Sequence, residues 1–178
     1  MNEALRQELL AMERVDRAVR ADLVTRGELH GEGYHPEMAA VHRRNNARLA
    51  EIIDAAGWPG RTLVGDDGCR AAGFIVQHAI LDLALQRRCV PLLEAAVAVD
   101  EAFPFMVALL TDRVLMEQGL PQRYGTQHIG GPEGVLVPWP IEEPETVDRR
   151  RAMVGLEPLG ERTAQLQEQI RRETGRDA

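Results

Sequence analysis

Two helix-length apolar runs each carry polar groups near their middle, Gln77-His78 in one and Asp112-Arg113 in the other, and Tyr124-Gly125-Thr126-Gln127 follows the second. Burying such groups costs free energy unless they pair, so the sequence predicts one shared polar pocket. His78 and Asp82 are four residues apart, and on a continuous helix they share a face, so the carboxylate can orient the imidazole. That pair suits general acid–base catalysis. Asp112 and Arg113 point about a quarter turn apart, and either can reach toward His78. Arg113 offers a planar fork for a carboxylate or phosphate. In an extended flap, Tyr124, Thr126 and Gln127 add hydrogen-bonding groups from alternate positions.

Each residue also has a plainer reading. His78 can be a satisfied core histidine, Asp82 a helix cap, and Asp112 with Arg113 an ion pair between helices. A metal alternative takes His78, a carboxylate from Asp82 or Asp112, and His128 as a two-histidine, one-carboxylate set. No HExxH and no paired CxxC supports it, so no metal and no cofactor is expected. His30, His35 and His42 read as exposed loop or helix residues. Cys69 and Cys89 lack metal-site spacing and read as reduced thiols.

The elements that must position these groups follow from periodicity. Leu5, Leu9, Met12, Val15, Val19 and Leu23 recur at three or four residues, predicting a long first helix that ends at Gly27. A turn at Gly31-Glu32-Gly33 leads to a second helix from Pro36, with Met38, Val41 or His42, Asn45, Leu49, Ile52 and Ala56 on its stripe. Asn45 therefore faces inward, either satisfying a core group or touching a ligand. Gly57-Trp58-Pro59-Gly60 breaks the chain. A third helix starts after Gly65, with Asp66 and Asp67 at its positive end. A fourth runs from Asp82 through Val99, with a break predicted near residue 89 because Pro91 is tolerated only in a first turn. Pro104 opens a fifth, stopped by Gly119 and Pro121. Residues 122–141 read as a hairpin or flap, and two helices close the chain near 145–154 and 160–174.

The expected fold is thus mainly α: a single domain over 1–178 with six or seven helices and a small β-hairpin. Residues 1–30 supply an N-terminal helix packed on it, and 176–178 a frayed tail. The composition, 44% apolar and 28% charged with 4% aromatic, is that of an ordinary globular protein whose core is aliphatic. The formal charge of −7 disfavours nucleic acid, because binding a phosphate backbone relies on clustered Lys and Arg. No segment approaches membrane-spanning length and the N-terminus lacks a secretory pattern, so a cytoplasmic location without a membrane partner is expected. The first helix is also suited to covering a second copy, giving a homodimer.

The ordered series Gly57-Trp58-Pro59, Val64-Gly65, Gln77-His78-Ala79, Asp112-Arg113, Gly119, Gln122, Tyr124-Gly125-Thr126-Gln127, Pro140-Ile141 and Gly155-Leu156 resembles a bacterial family of uncharacterised domains, over roughly residues 40–165. Asn45 falls where that pattern has Asn, whereas His42 stands in place of an Asp and His128 is outside the pattern. The resemblance implies a shared fold and pocket and supplies no activity.

The reading taken forward is a cofactor-independent enzyme acting on a small polar or peptidic substrate. His78 is acid or base, and Asp82 or Asp112 orients it. Arg113 anchors an anionic group, Tyr124 positions the reacting centre, and Gln77, Asn45, Gln122, Thr126 and Gln127 bind substrate. The alternatives are a noncatalytic ligand- or peptide-binding module and a metal-dependent enzyme using His78 and a carboxylate.

Overall fold

The computed structural model describes residues 1–29, 33–131 and 135–174. The predicted Gly31-Glu32 turn, the tip of the 122–141 segment and the C-terminal tail lie outside those residues. Among the described residues there are seven α-helices: α1 (Glu3–Arg26), α2 (Pro36–Ala56), α3 (Arg61–Gln77), α4 (Leu83–Ala98), α5 (Pro104–Glu117), α6 (Val147–Met153) and α7 (Leu159–Thr174). Two short strands, β1 (His128–Gly130) and β2 (Leu136–Pro138), form an antiparallel hairpin with Ile129 opposite Val137. The fold is mainly α with a small hairpin, as expected. No described helix is long and apolar enough to cross a membrane. The chain gathers into two compact units, Met1–Met106 and Val107–Ala178, the division falling inside α5.

In the first unit α1 packs chiefly along α3, and both meet α2. Asn2 caps α1 by accepting from the Leu5 N–H, and Gly27 closes it in the left-handed conformation. The face that α1 buries is Leu9, Asp16 and Leu23, seven residues apart, with Met12 and Val19 half-buried between them. Val15, expected on that stripe, is exposed. At 100° per residue the seam through 9, 12, 16, 19 and 23 is the straighter one, and it carries a carboxylate at its centre.

Charged pairs fix how the helices meet. Arg6 grips Asp67 of α3 through Nε–Oδ1 at 2.7 Å and Nη2–Oδ2 at 2.5 Å, while Arg48 of α2 bonds Glu8 at 2.6 and 3.1 Å. Helix α3 is kinked at Gly65 (φ 74°, ψ 170°), a backbone state that glycine adopts without steric cost, and runs regularly after it. The predicted start after Gly65 is therefore the start of the regular stretch, with a turn from Arg61 ahead of it. Helix α4 continues through Pro91, where a break near residue 89 was expected. Cys69 and Cys89 are buried free thiols. Burial raises both, Cys89 to about 12, so neither offers a thiolate near neutral pH.

In the second unit α7 packs on β2, where Gln167 Oε1 accepts the Leu136 N–H at 2.6 Å. A parallel bridge joins Gln122 to Ile141. Gly125 sits between them in the left-handed region (φ 67°), and a β-carbon there would lie 2.8 Å from Leu159 Cδ1 and 3.1 Å from Ile141 Cδ1. Gly125→Ala therefore combines backbone strain with crowding and is expected to destabilise the protein by about 2–3 kcal/mol, read as a lowered urea midpoint.

Candidate functional site

The centre of the first unit is Asp16, fully buried on the α1 seam. One oxygen, Oδ1, is 2.9 Å from Nδ1 of His78 in a hydrogen bond, and the other, Oδ2, is 2.9 Å from Nε2 of His42. A buried carboxylate without partners would be forced toward its neutral form. Here burial does push upward, but the contacts with His42 and His78 outweigh it and hold Asp16 ionised, with a pKa of about 2.

His78 is the residue that ends α3. Its backbone N–H donates to the Phe74 and Ile75 carbonyls, and the ring lies 3.9 Å, centroid to centroid, from that of Phe74. Gln86, buried in the first turn of α4, holds this end by donating to the carbonyls of Val76 (3.1 Å) and Gln77 (3.4 Å). The expected pairing of His78 with Asp82 is corrected. The helix stops at Gln77, so the two residues do not share a helical face, and Asp82 Oδ1 caps α4 by accepting the Leu85 N–H at 3.0 Å. The carboxylate that orients His78 comes from α1, sixty-two positions away in sequence.

His42, expected at the surface, is 4% exposed. It lies on the buried face of α2, its Nδ1 hydrogen-bonded to the Tyr34 hydroxyl and its ring 5.2 Å from that of His78. The contact between His42 Nε2 and Asp16 Oδ2 has the length of a hydrogen bond but not its direction, so among the described residues neither buried atom has a hydrogen-bond partner. Asn45 and Asn46, one turn further along the same face, are also buried. Both polar atoms of the Asn45 amide, and Oδ1 of Asn46, lack partners among the described residues. Asn45 thus faces inward as its periodicity predicts.

Asp16, His42 and His78 can each offer one ligand atom within 4.8 Å of the others. Metal–ligand bonds of about 2.0–2.2 Å place neighbouring ligand atoms about 2.9–3.5 Å apart, so the spacing of the buried pair fits an edge of a coordination polyhedron. Glu28, His35 and Glu37 form a second such group at the surface. There Arg26, 2.9 Å from Glu37 and 3.4 Å from Glu28, already supplies the compensating charge.

The other residues singled out from sequence, Gln77 apart, lie in the second unit, and most of their polar groups are engaged by that unit itself. Asp112, fully buried, accepts the N–H groups of Arg123 (2.7 Å), Tyr124 (3.1 Å) and Thr126 (2.9 Å). Burial raises its pKa and those N–H bonds work against the rise. Gln122 donates to the carbonyls of Gln127 (2.9 Å) and Trp139 (2.8 Å) and accepts the Gln127 N–H at 2.8 Å. The Gln127 amide donates to Thr126 Oγ1. Arg151, which the sequence reading missed, is 1% exposed and donates to the carbonyls of Tyr124 (2.6 Å) and Glu157 (2.6 Å). His128, the third ligand of the metal alternative, bonds Thr163 Oγ1 at 2.9 Å. Arg113 is half-buried on α5 and Gln77 half-buried at the end of α3.

The chain is therefore a mainly helical protein with a buried carboxylate between two imidazoles in one unit and a carboxylate-centred loop in the other. It belongs to a family of unknown function, DUF6624, whose profile matches residues 3–171. Neither a curated protein nor a solved structure matches it.

Asp112→Asn would turn an N–H2 group toward backbone donors or leave them without an ionised acceptor, and is expected to cost about 2–4 kcal/mol. Thermal unfolding checks this, and hydrogen exchange should show the loss of protection concentrated at Arg123 to Gln127.

Proposed function

We propose that the first unit houses a divalent transition-metal centre, ligated by Asp16, His42 and His78, that activates water against a small polar substrate. The observation that carries this reading is the buried Asp16 Oδ2–His42 Nε2 pair, 2.9 Å apart and without a hydrogen bond. Two imidazoles and one carboxylate suit first-row divalent ions and leave coordination positions for water and substrate. The ion would supply Lewis acidity and lower the pKa of bound water. Tyr34, bonded to the far nitrogen of His42, fits the outer partner that orients a ligating histidine. The unpartnered Asn45 amide and Asn46 Oδ1 are suited to hold water or substrate beside it. His78, with its side chain 30% exposed where the other two are nearly closed off, marks the side from which substrate arrives.

The Asp16–His78 hydrogen bond at 2.9 Å favours a second reading on the same residues: metal-free proton transfer by His78, with Asp16 in the orienting role first given to Asp82. One experiment separates the two. Protein stripped with a chelator and titrated with Co(II) or Zn(II) should bind one equivalent and gain about 2–4 kcal/mol of stability near saturation. Asp16→Asn and His42→Ala should lose both effects. Asp82→Ala should keep them while losing about 1 kcal/mol from the cap of α4. A calorimetric titration with no uptake of Zn(II), Co(II), Mn(II) or Fe(II) would leave the metal-free reading.

A further inference from the structure

The rings of His42, His78 and Phe74 form a row leading from the buried Asp16 toward the surface, and the row ends on a cation. His42 is 5.2 Å from His78 and His78 is 3.9 Å from Phe74, centroid to centroid, and the Arg17 guanidinium carbon sits 4.3 Å above the Phe74 ring. Arg17 follows Asp16 in the chain, so α1 presents the buried carboxylate and the outer guanidinium on successive residues. The Arg17 side chain is 62% exposed. Its Nε and Nη2 both reach one oxygen of Glu13, at 2.8 and 2.6 Å, and among the described residues Nη1 has no partner. An exposed pair four residues apart on a helix contributes little, so an incoming anion can take the place of Glu13. Stacking on Phe74 meanwhile holds the planar fork, which presents paired N–H groups as carboxylate and phosphate oxygens require.

We infer that the substrate of this site carries an anionic oxygen group, a carboxylate or a phosphate, which Arg17 anchors while the neighbouring part of the molecule lies against Phe74 and His78. The inference rests on Asp16, His42 and His78 being the working site, and it gives that site a substrate class. It also moves the anion anchor from Arg113, where the sequence placed it, to α1.

The test uses the full chain and two probes, inorganic phosphate and acetate, titrated calorimetrically into Co(II)-loaded protein. At least one should bind, and which one does distinguishes the two anion types. Arg17→Ala should weaken that binding at least about tenfold, the loss expected for a charge-assisted pair, with Co(II) affinity unchanged. Arg17→Lys should restore part of it. Glu13→Gln should tighten it, which a purely structural Arg17–Glu13 pair would not do. Equal anion affinity in the wild type and Arg17→Ala, or binding of neither anion by the Co(II)-loaded protein, would overturn the inference and leave the metal reading standing. Failure of Co(II) itself to bind would sink the metal reading; anion binding by the metal-free protein that depends on Arg17 would then still support the anchor, and its absence would overturn it.

Discussion

The first unit depends on a buried negative charge in the seam of α1. Asp16 has no solvent to stabilise its carboxylate, and breaking a buried charge from its partners costs about 3–5 kcal/mol. Its location therefore dictates where His42 and His78 must be, although those residues come from α2 and from the end of α3. Arg6–Asp67 and Arg48–Glu8 link α1 to α3 and to α2 in this register. A slide of one helical turn, about 5.4 Å, would separate Asp16 from both imidazoles. The kink at Gly65 and the grip of Gln86 on the last carbonyls of α3 settle the remaining degree of freedom, where α3 begins and where it ends.

The second unit also has a fully buried carboxylate, and its surroundings differ from those of Asp16. Around Asp112 the backbone N–H groups of Arg123, Tyr124 and Thr126 converge on the two oxygens, while Arg151 satisfies the carbonyl of Tyr124. An anion inside a ring of N–H donors and a cation against the carbonyls beside it close the polar requirements of an irregular loop. Its acceptor positions are filled by fixed backbone. Asp16 instead faces two side chains that can bind protons or metals, and one of those contacts is not a hydrogen bond.

Much of the fold was legible from the chain because the helices obey simple periodicity and their ends carry strong punctuation. Gly27, Pro36, Gly57, Pro104 and Gly119 all stand at or beside element ends. His78 was legible too, as a polar group inside an apolar run, and so was the inward face of Asn45. Its partner was not. Asp16 is separated from His78 by sixty-two positions, and such pairings follow from tertiary packing rather than from local spacing. A signal did exist: Asp16 occupies the middle of the Leu9–Leu23 seven-residue repeat, a place where a carboxylate is costly. Reading Val15 into that stripe displaced it. His42 enters the α2 stripe only as an alternative to Val41 and otherwise reads as surface, since a histidine on a helix rich in Arg and Glu does so until the packing of α2 is known. Asp82 failed as a partner because the tract was read as helical one turn too far.

The metal centre proposed above also constrains the tautomer of His42. If Nε2 carries a proton, that proton is misdirected relative to Asp16 Oδ2, and the short separation is poorly used. If Nε2 carries its lone pair, two acceptors face one another at 2.9 Å inside the protein, which is repulsive unless something positive lies beside them. The second state leaves the Nδ1 hydrogen for Tyr34, whose hydroxyl oxygen can accept it. It also matches what a ligating imidazole requires, a free lone pair on one nitrogen and an orienting partner on the other. In the proposed centre a divalent ion held by His42 and Asp16 would relieve the repulsion and leave the hydrogen bond from His42 to Tyr34 in place. A proton shared between Asp16 and His78 alone leaves the His42 side of the carboxylate unexplained.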